Sequence, residues 1–239
     1  MEKRDIVFNG KEKKVFATDN DNRIIIHFKD VTLGYNNIKK AIFRGKGEVN
    51  CRISAMLFKL LESNGIRTHF IEACGSDMLC RKINIIPLAL TVRNKVSGTL
   101  VSRIGVAEGT VPEEPLFDLH YNNDEFADPL ITGQHAVLLG LVNKEELAFI
   151  YETAGKVNEI LSEAFHKAGI ELVDVKLEFG RAADNGEIII SDEISPDTCR
   201  LWDEATGKIL DKTRFLKDLS DVVASYREVY ERLSQVLDK

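Results

Sequence analysis

The stretch Val173-Asp174-Val175-Lys176-Leu177-Glu178-Phe179 alternates apolar and charged residues over seven positions. Successive side chains of a strand point to opposite faces. Val173, Val175, Leu177 and Phe179 therefore share a core face. Asp174, Lys176 and Glu178 share the other, which is either a solvated face or a functional floor. After a loop carrying Asp184-Asn185-Gly186, Ile188-Ile189-Ile190 is apolar on both faces, as in a strand covered on both sides, and runs into Ser191-Asp192-Glu193. The Asn-Gly turn predicts a hairpin that sets Glu178 opposite Asp192 within a residue of register. Two carboxylates so placed repel unless a cation lies between them. Glu and Asp from neighbouring strands beside substrate phosphates form an ordinary Mg2+ arrangement; the alternative is a pair facing water.

Upstream, residues 5–9, 13–18 and 23–29 read as short strands separated by Asn-Gly and Asp-Asn-Asp-Asn turns, an antiparallel meander. Val49, Ile53, Met56, Leu57, Leu60 and Leu61 recur at helical spacing, predicting a helix over 47–64 ended by Gly65. Residues 68–73, 78–83 and 87–92 read as further strands. Residues 1–85 thus form a small β-rich lobe with one covering helix, and 86–239 a larger lobe. In the latter, Asn143-x-x-Glu146 is a loose capping-box pattern, an apolar stripe runs from Leu147 to Ala168, and a last helix is expected over 216–237. Strands alternating irregularly with helices predict an α+β fold.

The 239 residues carry 32 Lys+Arg against 38 Asp+Glu, a net charge of −6. No excess of cations waits to displace counterions from phosphates, which argues against nucleic-acid binding but leaves room for a local basic pocket. The start MEKRDIVFNG lacks a signal peptide's apolar core, and no apolar run reaches the ~18 residues of a membrane span. Cys51, Cys74, Cys80 and Cys199 show no metal-ligand spacing and read as reduced thiols, so a cytoplasmic protein is expected.

Further segments carry chemistry-bearing residues. Gly10-Lys11-Glu12-Lys13-Lys14-Val15-Phe16 is a strand-turn-strand whose lysines either cover nucleotide phosphates or decorate a soluble surface. Gly45-Lys46-Gly47 precedes a helix and is an anion site or a tight turn. Arg93 ends a strand just before Ser97 and Thr99 at a short helix, a plausible phosphate or carboxylate clamp. Arg200 lies in the polar loop 192–203 and can grip an anion bidentately; Trp202 reads as core. The five histidines show no recurrent spacing.

Several of these segments together resemble the SAICAR synthetase family: Gly45-Lys46-Gly47-Glu48-Val49-Asn50, Ile86-Pro87 leading to Val92-Arg93-Asn94, Asn123-Asp124 with Asp128-Pro129, Lys176-Leu177-Glu178-Phe179-Gly180, Asp192 to Asp197 continuing through Arg200-Leu201-Trp202-Asp203, and Asp211-Lys212-Thr213-Arg214. The resemblance spans nearly the whole chain. It implies a two-lobed α+β fold related to the ATP-grasp enzymes. It also implies an ATP-dependent ligase of de novo purine biosynthesis that joins L-aspartate to the carboxylate of carboxyaminoimidazole ribonucleotide (CAIR), giving SAICAR, ADP and phosphate through an acyl phosphate. A homodimer is further implied. Carried over, Lys11, Lys13 and Val15 belong to the hairpin covering ATP, and Lys82, Ile83, Asn84 and Ile86 to the connection meeting adenine. Glu178 and Asp192 hold Mg2+ against the phosphates. Arg93, Thr99 and Arg200 bind the ribonucleotide, with Lys212 and Arg214 adding charge. Asp174, Lys176 and Asp197 line the reaction centre.

Two departures from the family pattern stand out. Asn122 replaces the family's usual lysine before Asn-Asp, so either Lys95 or a mobile lysine compensates or ATP binds more weakly. In the loop Asp30-Val31-Thr32-Leu33-Gly34-Tyr35-Asn36 only Asp30, Thr32, Gly34 and Asn36 match. Competing readings are a nucleotide-binding regulator on the same fold and an ATP-dependent enzyme with another carboxylate acceptor.

Overall fold

The computed structural model describes residues 2–34 and 39–237, so the expectations at Tyr35 and Asn36 lie outside the described residues. Two antiparallel sheets organise the chain. The first is built from β1 (Ile6–Asn9), β2 (Lys13–Ala17), β3 (Arg23–Phe28), β6 (Phe70–Cys74) and β7 (Asp77–Arg81), in the order β1-β2-β3-β7-β6. Helix α1 (Lys46–Ser63) covers it, burying Ile53, Leu57, Phe58 and Leu61 against Phe28, Phe70 and Met78. A two-stranded hairpin, β4 (Val31–Gly34) with β5 (Lys39–Ile42), precedes α1; it occupies the segment expected to be loop. The strand–helix–strand expectation for this half therefore holds, with one extra hairpin.

The second sheet has β8 (Ile83–Arg93) and β10 (Ile170–Ala182) at its centre. Beside them run β9 (Leu116–Tyr121), β11 (Ile188–Ser191) and β12 (Cys199–Asp203). Residues 83–93 form one strand, where the sequence suggested two with a gap before Pro87. Pairing with β10 shifts between Phe179–Ile86 and Glu178–Ala89, so the proline, which has no N–H to donate, sits where the ladder skips. The chain passes from one sheet to the other at Lys82, and residue 85 falls inside β8.

Helix α2 (Thr99–Ile104) is the short helix expected after Arg93, and α3 (Gly133–Leu138) follows β9. Helix α4 (Lys144–Lys167) starts at the anticipated capping box: Asn143 accepts from the Glu146 amide at 2.8 Å, and Glu146 accepts from the Asn143 amide at 2.9 Å. Its buried stripe of Ile150, Ala154, Val157, Leu161 and Phe165 packs on β8 and β10. The last helix is broken. A single turn, α5 (Thr213–Leu216), is separated from α6 (Val222–Leu237) by residues in which Asp218 and Asp221 take positive φ, a conformation that ends a right-handed helix. Helix α6 lies along α1 and α4, burying Tyr226, Val229 and Leu233.

Candidate active site

Strand β10 is longer than either strand on its outer edge. Residues 170–175 pair with β12 and 178–181 with β11, while β8 runs along the other edge. The link from β11 to β12, residues 192–198, therefore leaves the sheet opposite the middle of β10. There the Lys176 amide donates to the Thr198 carbonyl at 2.8 Å. This topology gathers Lys176, Glu178, Asp192, Glu193 and Asp197 in one place. Ser191, not Asp192, stands opposite Glu178; strict alternation would turn Asp192 to the other face. Asp192 instead adopts φ +64°, a left-handed conformation that Asp tolerates better than most residues. The break in alternation leaves both carboxylates in the same cleft.

That cleft, about 700 Å³, lies between the β1–β2 hairpin and β10. Lys13 bridges Asp192 and Glu193, the latter at 2.8 Å. Burial by itself would lower the Lys13 pKa, but the two carboxylates outweigh it and hold the ammonium charged. Lys176 donates to Glu178 at 2.6 Å, and its pKa is likewise raised against burial by Glu178 and Asp192. Lys212 donates to Glu12 at 2.9 Å and Lys11 to Asp124 at 2.6 Å. Four lysines thus share the cleft walls with seven carboxylates. An anionic nucleotide enters such a wall only together with cations, and hard oxygen donors suit Mg2+.

A second cavity of about 240 Å³ continues from the first; Lys176, Asp197, Thr198 and Lys212 line both. Arg93, Asp174, Arg200 and Asp211 complete its walls. Asp174, 2% exposed, accepts on Oδ2 from Arg93 at 2.8 Å, Ser97 at 2.9 Å and Arg200 at 2.7 Å. Arg93 also donates to Asp118 at 2.7 Å, and Arg103 grips Asp118 through both oxygens. Arg200 passes so close to Gly98 that a Cβ there would lie 2.5 Å from Nη2, and Gly98 has φ +58°; only glycine fits. Burial drives the Asp211 carboxyl up to about 6, although the Leu201 and Thr213 amides donate to it.

The structure thus brings together Lys11, Lys13, Glu178 and Asp192 in the cleft, Arg93, Asp174 and Arg200 in the smaller cavity, and Lys176, Asp197 and Lys212 in the wall between. It does not bring the others to these walls. Val15, in β2, turns its side chain to the core. Ile83, Asn84 and Ile86 pair with β10, Ile86 being fully buried, and the Lys82 amide is taken by the Asn22 carbonyl. Thr99 is exposed at the start of α2. Arg214 ties the Ile209 and Ser220 carbonyls together. Lys95 is no substitute for the lysine missing at Asn122: it pairs with Glu171 at 2.6 Å and lies over Trp202, which is half-buried rather than core. Asn122 itself lines the cleft, where Lys11 reaches Asp124.

Sequence reasoning missed Glu193, buried beneath Lys13, and Asn50 and Tyr226 behind Asp197; it had Lys46 in an anion site or a tight turn, and the anion Lys46 meets is the Asp197 carboxylate. Lys46 and Asn50 lie one helical turn apart, and that spacing was the available signal. Among the described residues no group of three His, Cys, Asp or Glu side chains is placed to hold a metal ion; a cation here rests on two carboxylates.

The family model of SAICAR synthetase matches residues 6–233. A phosphoribosylaminoimidazole-succinocarboxamide synthase of Clostridium botulinum is 45% identical over 236 residues, covering 98% of this chain and all of the relative. The crystal structure of the corresponding enzyme from Ehrlichia chaffeensis superposes with a TM-score of 0.95 at 42% identity, covering 96% of this chain and 98% of that one. A SAICAR synthetase in complex with ADP gives 0.92 at 46% identity, covering 95% and 97%. With its two sheets, its shared lysine–carboxylate wall and these likenesses, the chain belongs to the SAICAR synthetase family.

Proposed function

We propose that the two connected cavities divide the family's ligation between them, the nucleotide in the larger and the acceptor in the smaller. The activity is the ATP-dependent joining of CAIR and L-aspartate to give SAICAR, ADP and phosphate. The observation that carries the division is the common wall of Lys176, Asp197, Thr198 and Lys212. A phosphoryl group leaving one cavity meets an acceptor in the other at that wall. The ADP complex of a 46% identical relative supports a nucleotide in the larger cavity.

A carboxylate is a poor acylating agent because oxide would have to leave. Transfer of the γ-phosphoryl to the CAIR carboxylate replaces oxide by phosphate, and the aspartate amine then displaces it to form the amide. The proton lost from the amine leaves with phosphate or solvent. Such a transfer depends on positioned charge more than on a strong base. Lys176 and Lys212 stand where negative charge builds up, and Arg200, half-buried beside Asp174, presents a cation to the acceptor. Arg93 is buried and orders Asp118 and Asp174. Glu178 and Asp192 would hold Mg2+, which would supply positive charge beside the nucleotide phosphates and offset the acid excess of the cleft. The β1–β2 hairpin covers the nucleotide and excludes water from a hydrolysable acyl phosphate.

The division into a β-rich lobe covering ATP and a larger lobe carrying the acceptor site follows the two sheets. A homodimer is also proposed, supported by exposed Leu138, Leu139 and Phe149 around α3 and α4; sedimentation equilibrium distinguishes it from a monomer. Among the described residues no helix is long and apolar enough to cross a membrane, and four free cysteines, three of them buried, fit a reducing, cytoplasmic setting.

The reading is tested by following ADP release with ATP and Mg2+ present. Release is expected only when CAIR and L-aspartate are both supplied. Nucleotide binding without turnover would point to a regulator, and turnover with another carboxylate but not CAIR to a different acceptor.

A further inference from the structure

Asp197 lines both cavities, yet its carboxylate is held from behind by groups that line neither. Lys46 Nζ reaches Oδ2 at 2.5 Å, Asn50 Nδ2 reaches the same oxygen at 2.7 Å, and the Tyr226 hydroxyl donates to Oδ1 at 2.6 Å. The Asp197 amide donates to Ser195 Oγ at 3.1 Å, so the main chain is fixed as well. Lys46 and Asn50 are each 1% exposed and Tyr226 is fully buried.

The placement of Lys46 breaks a local rule. It is the first residue of α1, where the helix dipole favours anions and disfavours a cation. Gly45, at φ +84°, has no side chain to cap the helix; the Asp30 carboxylate does so instead, accepting from the Gly45 amide at 3.1 Å and the Gly47 amide at 3.0 Å. Burying an ammonium there is costly unless a carboxylate meets it. Such an arrangement gains nothing for α1 itself; residues that violate local preference without a local return are expected at functional sites. The groups facing Asp197 are Lys46 and Asn50 from α1, Tyr226 from α6, Lys212 ahead of α5 and Glu193 from its own loop. Burial would raise the Asp197 pKa, but Lys46, Lys212 and Tyr226 hold it below its usual value, so the group is an anion. Asn50 Nδ2 lies 3.4 Å from Glu193 Oε2 as well, which spaces the two carboxylates apart.

We propose that Lys46, Asn50 and Tyr226 are positioning residues for the ligation, fixing the Asp197 carboxylate as an oriented anion in the wall where the phosphoryl group, the acceptor and the incoming amine meet. Through them α1 and the last helix α6, neither of which reaches substrate at these positions, set the geometry of the reaction centre. The inference rests on Asp197 being a reaction-centre residue.

The test is a double-mutant cycle on the full-length protein. It compares Lys46→Met, Asp197→Asn and the pair together in acceptor-dependent ADP release, alongside thermal midpoints. Asp197→Asn is expected to lower kcat by roughly 10²–10³. Lys46→Met is expected to lower kcat by about 10² with KM for ATP changed less than about threefold, and the double variant is no slower than Asp197→Asn. Lys46→Arg recovers at least about tenfold over Lys46→Met, because it keeps a donor cation. Tyr226→Phe, which removes one hydrogen bond, lowers kcat by about 3–10-fold; if Lys46→Met does not fold, Tyr226→Phe with Asp197→Asn runs the same cycle. Losses that add fully in the double variant, Lys46→Met turning over like wild type, or KM for ATP rising in step with falling kcat would each overturn the proposal. An Asp197→Asn variant of normal activity would instead remove the reaction-centre reading on which it stands.

Discussion

Asp174 lies within the second sheet and Asp192 just past the end of β11; both carboxylates meet cations, yet they differ in kind. Asp174 accepts from Arg93, Ser97 and Arg200 in a site that water barely reaches. Asp192 meets Lys13 at the edge of an open cleft, 23% of its side chain exposed. The first is a structural knot in the wall of the smaller cavity and the second a group free to exchange partners. The difference predicts two outcomes. Arg93→Met leaves buried Asp118 and Asp174 short of a partner and should cost about 3–5 kcal/mol in urea unfolding. Arg200→Met, at a side chain 28% exposed, should unfold closer to wild type but raise KM for the ribonucleotide. Equal stability losses would contradict this assignment of the two arginines. The alternation around Asp174, Lys176 and Glu178 was plain in the sequence because strand periodicity is strict. The positive φ of Asp192 was not, because a single left-handed residue leaves no pattern.

At the level of elements, the long periodic pieces were legible: the 47–64 helix, the capping box of α4, the meander and the β10–β11 hairpin. Their signals are several residues deep and local. Strands β9 and β12 were missed. β9 lies among turn-forming residues, and β12 reads Cys-Arg-Leu-Trp-Asp inside a polar loop, so pairing with β10, a tertiary event, decides it. The last helix was drawn too long because apolar spacing persists across a break that Asp218 and Asp221 impose and Arg214 fastens. Asp203, closing β12, carries a pH prediction. The Thr206 hydroxyl, then Arg232, donate to its carboxylate and hold its pKa down to about 2, against 3.8 for a free Asp. A depressed carboxyl stabilises the fold above its unfolded value and loses that contribution as pH falls through its folded one. Between about pH 4 and pH 2 the urea midpoint should therefore fall more steeply for wild type than for Asp203→Asn. Parallel slopes would show that Asp203 contributes nothing to the pairing of β12 with α6.

At the scale of the molecule, the two sheets meet at a cleft whose carboxylates outnumber its lysines, in a chain that is itself acidic. Recognition of a polyphosphate by such a surface makes sense only with divalent cation, so metal and nucleotide should bind as one. The smaller cavity has the opposite balance, four cations to three carboxylates, which suits the phosphorylated, carboxylated ribonucleotide proposed for it. The sequence named Glu178, Asp192, Arg93 and Arg200 and left room for a local basic pocket, but it did not show the five further carboxylates that line the larger cleft. The sign of a cavity depends on which side chains the fold turns inward, and composition does not contain that.

The central claim is that Glu178 and Asp192 together hold the cation that lets the nucleotide react across the shared wall. ADP release by Glu178→Ala and Asp192→Ala, measured with CAIR, L-aspartate and saturating Mg2+ and checked by circular dichroism for an intact fold, tests it most directly. A loss of at least about 10²–10³ in kcat for each variant is predicted. Turnover within about threefold of wild type in either folded variant would contradict the account.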